Sequence, residues 1–270
     1  MKKAEQKLAF LHGRNLDEGL KLVIVGEGYR EAELGQFRFD ADAAVQMILS
    51  TSPFDHIPLR IARIDVASKT SSAYRSVAHK SADTAFGAHF DERNPHLLRI
   101  DTKRVLAAVR AALPARWGEH KIVVLVNTPE RFGGSGVFLA NAGSQASGIA
   151  VASTANESET LMHELGHTFG LADEYAGSPI MGDSPPNVAT NLNHLPAFWS
   201  ARLTPDVKRP TVSNDPDVIG VFPADTGAAH YRPQYSCIMK TSSSLDHYCK
   251  VCAEWIETNF MTTSLERKAA

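Results

Sequence analysis

His163-Glu164-Leu165-Gly166-His167-Thr168-Phe169-Gly170-Leu171-Ala172-Asp173 is the stretch from which the rest of the chain can be read. At about 3.6 residues per turn, His163 and His167 stand one turn apart on a helix face, where both imidazoles can reach a single ion. Glu164 is rotated by about 100° from His163. It lies beside such an ion without being a ligand, which suits a proton acceptor for an attacking water. Gly170 tolerates the left-handed backbone that ends many helices, and a chain turning there returns Asp173 as a third ligand. Leu161, Met162, Leu165 and Phe169 fill the remaining face, as expected of a helix packed on a core with its polar side to a cleft.

An ordinary surface helix is the competing reading. His-Glu-x-x-His alone would arise in about one chain in a hundred of this composition, and Gly170 with Asp173 lowers that by about two further orders of magnitude.

Outward from the motif, Asn156 with Glu159 reads as a capping box opening the helix, and Glu157 and Glu159 suit its positive end. Upstream, Leu20 to Val25 is a buried strand, Glu31 to Leu49 a helix with Leu34, Phe37, Ala41, Ala44, Val45 and Ile48 at helical spacing, and Leu59 to Val66 a strand. Thr102 to Leu113 is a helix, and Lys121 to Val126 a buried strand. This order indicates an α/β layer structure. Gly133-Gly134-Ser135-Gly136 lacks the Lys-Ser/Thr of a phosphate loop and is read as a flexible bend before strands at Val137 to Ala140 and Gly148 to Ala152. Residues 176 to 230 carry eight of the fourteen prolines, so loops are expected there, with a short helical piece near Phe198 and Trp199. An amphipathic stretch from Cys249 to Phe260 closes the chain.

A chain of 270 residues with 43% hydrophobic and 21% charged residues can bury a full core. Its net charge of −2 gives no reason to expect nucleic acid or an anionic membrane as partner. No apolar run approaches the roughly eighteen residues needed to span a bilayer. The N-terminus lacks a signal-peptide apolar region, so the chain is expected in the cytoplasm as it stands, and outside it if a leader has been removed.

His163-Glu164-x-x-His167-x-x-Gly170-x-x-Asp173 resembles the metzincin signature, with aspartate in place of the commoner third histidine. Continued through Glu174 and Tyr175, it looks like the version found in the bacterial immunoglobulin A peptidase-like family of metallopeptidases. Val23-Ile24-Val25-Gly26-Glu27-Gly28-Tyr29 resembles that family's opening strand and turn, with Glu27 for the usual aspartate. Asp83 to Gly87, Val124 to Asn127, Gly133 to Gly136, Asn187-Val188 and Tyr231-Arg232-Pro233 also match in order.

The resemblance implies an α/β, metzincin-like zinc peptidase with a mixed twisted sheet, an active-site helix and a loop-rich C-terminal subdomain. Residues 1–270 would form one catalytic domain, about 18–175 as the upper subdomain and about 176–270 as the lower. It implies a zinc-dependent endopeptidase acting on polypeptide, with Zn2+ on His163, His167 and Asp173, and Glu164 as general base. The strand before the active-site helix would lie at the cleft rim. Met239 in Cys237-Ile238-Met239 would supply the methionine turn, being a poor zinc ligand that packs well beneath one. From their place before that turn, His230, Tyr231 and Arg232 are candidates to contact substrate or transition state, with a plain surface residue as the other reading of His230, and Glu174 is either a hydrogen-bond partner of a ligating histidine or a solvated acid. The alternatives are a zinc hydrolase of a non-peptide amide, a catalytically silent binding protein on the same scaffold, and a site whose third ligand is a distant glutamate. Cys237, Cys249 and Cys252 allow reduced thiols, a disulfide, or a second, structural zinc completed by His247.

Overall fold

Three adjacent strands alternate their side chains between two cores. In β2 (Leu20–Glu27), Leu22 and Ile24 enter one cluster while Val23 and Val25 enter the other. The same division separates Val123 and Leu125 from Ile122, Val124 and Val126 in β6 (His120–Val126), and Ala150 and Ala152 from Ile149 and Val151 in β8 (Ala146–Ser153). Strands buried on both faces need helices or loops on both sides, and a layered αβα arrangement follows. The computed structural model describes residues 7–13, 19–71, 83–91, 94, 97–129, 133–139, 145–155, 158–175, 185–224, 230–240 and 247–266.

The main sheet has six strands in the order β1-β3-β2-β6-β8-β7. Strands β3 (Leu59–Asp65), β2, β6 and β8 are parallel to one another, while β1 (Lys7–His12) and β7 (Ser135–Phe138) close the edges antiparallel. The sheet is therefore mixed. Two short ladders lie outside it, β4 (His89–Phe90) with β5 (Leu98–Arg99) and β9 (Phe222–Pro223) with β10 (Tyr231–Arg232).

Helix α1 (Leu34–Ser50), preceded by a 3-10 turn at Glu31–Glu33, buries the six residues named from its spacing into the first core. Helix α2 (Thr102–Ala112) packs Val105 and Val109 into the second, and Asp101 caps it by accepting from the Lys103 and Arg104 amides. Helix α3 (Ser158–His167) carries the motif, α4 (Ala197–Ser200) is the short helical piece, and α5 (Lys250–Glu266) buries Val251, Cys252 and Ile256. Asn156 and Glu157 and the side chain of Glu159 lie outside the described residues, as do 176–184 and 225–229. Among the described residues no helix is long and apolar enough to cross a membrane.

Two details near the motif differ from the sequence expectation. Strand β8, immediately before α3, is interior, and the rim belongs to β7. Gly136 is also part of that strand rather than a bend. A Cβ there would sit 2.4 Å from the Glu164 carbonyl oxygen and 2.6 Å from the His167 Cβ, so it is the missing side chain that lets the edge strand lie against α3. Gly136→Ala is therefore expected to destabilise the fold by ~1–3 kcal/mol through overpacking and to weaken the metal binding expected of His167. Urea denaturation and zinc titration check both, and an unchanged midpoint would show that the helix can move aside freely.

Glu27 sits at the end of β2 with a fully buried carboxylate that accepts from the Phe86 amide at 2.8 Å and the Ala88 amide at 2.8 Å. This side chain thus pins the 83–88 segment to the sheet.

Candidate metal centre

Helix α3 reaches the sheet through Leu161 and Leu165, which pack in the same core as the small Ala150 and Ala152 of β8. Its opposite side brings His163, Glu164 and His167 together. The helix ends by tightening: the amides of Thr168, Phe169 and Gly170 bond to carbonyls three residues back, at 3.0, 2.9 and 3.0 Å. Gly170 then takes φ +79°, the left-handed step anticipated for it. The Lys121 ammonium, buried under the sheet, donates to the Thr168 carbonyl at 2.6 Å. Burial pushes its pKa down to about 8, and its position at the negative end of α3 suits the charge it keeps.

The turn delivers Asp173 to the histidines. Its Oδ1 lies 2.9 Å from His163 Nε2 and 3.3 Å from His167 Nε2, and the two Nε2 atoms are 3.2 Å apart. Ligand atoms around a tetrahedral zinc at ~2.0–2.1 Å are separated by about 3.3 Å, so the three donors have the spacing such an ion requires. The outer ring nitrogens are also committed. His163 Nδ1 donates to the Ile238 carbonyl at 2.9 Å and His167 Nδ1 to the Leu171 carbonyl at 2.8 Å, which leaves each Nε2 lone pair directed at the shared point. Glu164 Oε2 stands 4.0 Å from His167 Nε2, outside the triad and within reach of a water held between them.

Electrostatics agree with a cation site. Burial disfavours charge on His163 and His167, yet hydrogen bonds to Asp173 and the nearby Glu164 outweigh it and raise both, His167 to about 9. Burial works against the Asp173 charge too, but both histidines hold it well below the usual carboxylate range. Glu164 is pushed up by burial, against the pull of the two histidines. In the metal-free protein, protons therefore balance a charge that an ion would otherwise balance, and ligation must displace them. Apparent zinc affinity is expected to climb as pH rises from the ordinary imidazole value of 6.5 toward about 9 and to level off above it. Competition against a chromogenic chelator measures this, and a flat profile over that range would contradict it.

The surroundings fix the segment that carries Asp173. Asn187, fully buried, accepts from the Ala172 amide at 2.9 Å and donates to the Ala172 carbonyl at 2.8 Å and to Glu174 Oε1 at 3.0 Å. It clamps the segment on which Asp173 sits, a role its sequence position does not reveal. Met239 is fully buried beneath the helix, where a Cβ on Gly166 would lie 2.5 Å from its sulfur. The Glu174 amide donates to the Met239 carbonyl at 2.7 Å, and the Tyr248 hydroxyl donates to the Met162 carbonyl.

Glu174 and His247 are placed differently from the sequence expectation. Glu174 is fully buried and meets Cys252 Sγ and Asn187. It does not orient a histidine through Nδ1, because backbone carbonyls occupy both of those positions. Arg232 is buried, with its guanidinium donating to the Gln234 and Tyr235 carbonyls; His230 is buried as well, and Tyr231 is half-buried and paired through its backbone with Ala189. His247 is exposed and stands apart from the grouped cysteines. Tyr175 lays its ring along His163, with centroids 6.3 Å apart.

A family comparison agrees with the class these residues define. Over residues 12–217 the chain matches the family model described as IgA Peptidase M64, which makes it a peptidase, a hydrolase of metallopeptidase type. The chain belongs to the M64 family. The matched span includes His163, Glu164, His167, Asp173 and Glu174 and ends before Met239 and the cysteines. Comparison with curated proteins gives no match.

Proposed function

We propose that the protein is a zinc-dependent endopeptidase of metzincin type, with His163, His167 and Asp173 as the zinc ligands and Glu164 as general base. The observation that carries this reading is the convergence of the three donor atoms at 2.9 to 3.3 Å, with Glu164 standing off at 4.0 Å. A zinc ion held there supplies Lewis acidity toward a carbonyl oxygen and acidifies water. Glu164 takes the proton of the attacking water and passes it to the departing amine, its basicity raised by burial. Met239 and the Ile238 carbonyl support the ligands from below, in the part assigned to the methionine turn.

Substrate lies along β7 in this proposal. Among the described residues that strand is the last of the sheet, beside α3, and it exposes Val137 and Phe138. An extended peptide could pair with it through main-chain hydrogen bonds and be selected by side-chain pockets. Residues from about 18 to 175 would form the upper wall of the cleft and those from about 176 onward the lower. Of the trio at 230–232, Tyr231 is retained as the substrate contact, since it is half-buried while its neighbours are buried.

Digestion of a diverse peptide library by zinc-loaded and chelator-stripped protein, read by mass spectrometry, tests the proposal. Internal cleavage by the loaded form alone is expected. Zinc bound without cleavage would reject it in favour of a non-peptide amide hydrolase or a silent binding protein.

A further inference from the structure

A second cluster of metal-ligating atoms lies behind the first. Cys237, Cys249, Cys252 and Glu174 bring one ligand atom each within 4.8 Å of one another, all buried. The cysteines are free rather than bonded in pairs. Cys237 and Cys252 sulfurs are 3.8 Å apart, and Cys252 Sγ lies 3.3 Å from Glu174 Oε1. Around a tetrahedral zinc with Zn–S near 2.3 Å and Zn–O near 2.0 Å, sulfur pairs are separated by about 3.8 Å and sulfur–oxygen pairs by about 3.5 Å.

A second observation points to a ligand. Glu174 Oε2 is buried with no hydrogen-bond partner, an expensive state for a carboxylate oxygen. A disulfide between any two of the thiols would leave that oxygen as it is and strand the third thiol beside it. A tetrahedral cation resolves all four groups together.

We propose that Cys237, Cys249, Cys252 and Glu174 bind a structural zinc ion, distinct from the ion at His163, His167 and Asp173. Three thiolates favour a thiophilic ion, and four protein ligands leave no open position for chemistry. Three thiolates and a carboxylate exceed the charge of the ion by two, and the buried Arg232 guanidinium, which interacts electrostatically with Glu174, Cys237 and Cys249, offsets part of that excess. Cys249 and Cys252 stand at the N-terminal end of α5, whose dipole favours thiolate, and the Cys249 amide donates to Cys237 Sγ at 3.3 Å.

Its place in the chain gives the ion a positioning role. Glu174 follows Asp173 directly. Cys237 is one residue from Ile238, whose carbonyl holds His163, and two from Met239. One ion would thus bind together the turn after α3, the loop beneath it and the start of α5. The catalytic ligands are not among its own, so it stands or falls separately from the peptidase reading.

The test uses His163→Ala/His167→Ala, which removes two ligands of the other site. The purified double variant is expected to retain one zinc per chain by elemental analysis. X-ray absorption at the zinc edge should show a shell dominated by sulfur at about 2.3 Å. Adding Cys249→Ser should bring zinc to zero; because that change could itself unfold the chain, the absorption spectrum of the double variant carries the decision. A double variant without zinc, a shell of nitrogen and oxygen alone, or an intact mass showing a disulfide would each overturn the proposal.

Discussion

Glu164→Gln is expected to abolish most of the hydrolysis while leaving zinc in place. Glutamine keeps the volume of the side chain and its reach toward the space beside His167, but its amide oxygen cannot take up a proton. General acid–base groups contribute ~10^2–10^4 in rate, so kcat/KM should fall by about that factor with zinc content unchanged. Stability separates this from a folding defect. Burial raises the Glu164 pKa above its ordinary value of 4.5, so between that value and the folded one the native state holds the extra proton. Stability of the metal-free protein therefore falls as pH rises through that window. Glutamine removes this titration, and the stability of the metal-free variant should fall less steeply through that window than the parent's. Cleavage within tenfold of the parent at equal zinc occupancy would place the base elsewhere.

The parts of this design legible in sequence were those encoded by local period. The helices and interior strands show 3.6-residue or continuous apolar patterns, and their positions follow within a few residues. The helix motif likewise fixes three neighbours by turn geometry, and Gly170 announces the turn that returns Asp173. Strand β1 was not read, since Lys7–His12 is a half-buried edge whose pairing with β3 is a long-range event with little local signature. Gly136 looked like a bend because a glycine-rich string is the same in sequence whether it frees the backbone or makes room for a neighbour. Adjacency misled at Glu174. It follows Asp173 directly, but its carboxylate reaches Cys252 instead. The Asn187 clamp is invisible for the same reason as the cysteine–glutamate cluster: its partners come from segments that only the fold brings together.

Asp173, proposed as the third ligand, is the most informative position to change. Asp173→Ala is expected to weaken zinc binding by more than about 100-fold, since loss of groups that merely orient ligands already costs ~10–100-fold. The adjacent Glu174 does not take its place, being bound to Asn187 and Cys252. A second readout comes from the metal-free protein. Burial disfavours charge on His163 and His167, and Asp173 is the main partner that overcomes it. Without that carboxylate, burial prevails more strongly and both imidazoles should titrate lower than in the parent, His167 below its value of about 9. NMR titration of the ring protons reads this without any metal. Lowered imidazole values together with lost zinc would fix Asp173 as the ligand that balances the pair. Lowered values with zinc affinity intact would instead mean that Asp173 only neutralises the histidines, and that a glutamate elsewhere in the chain completes the site.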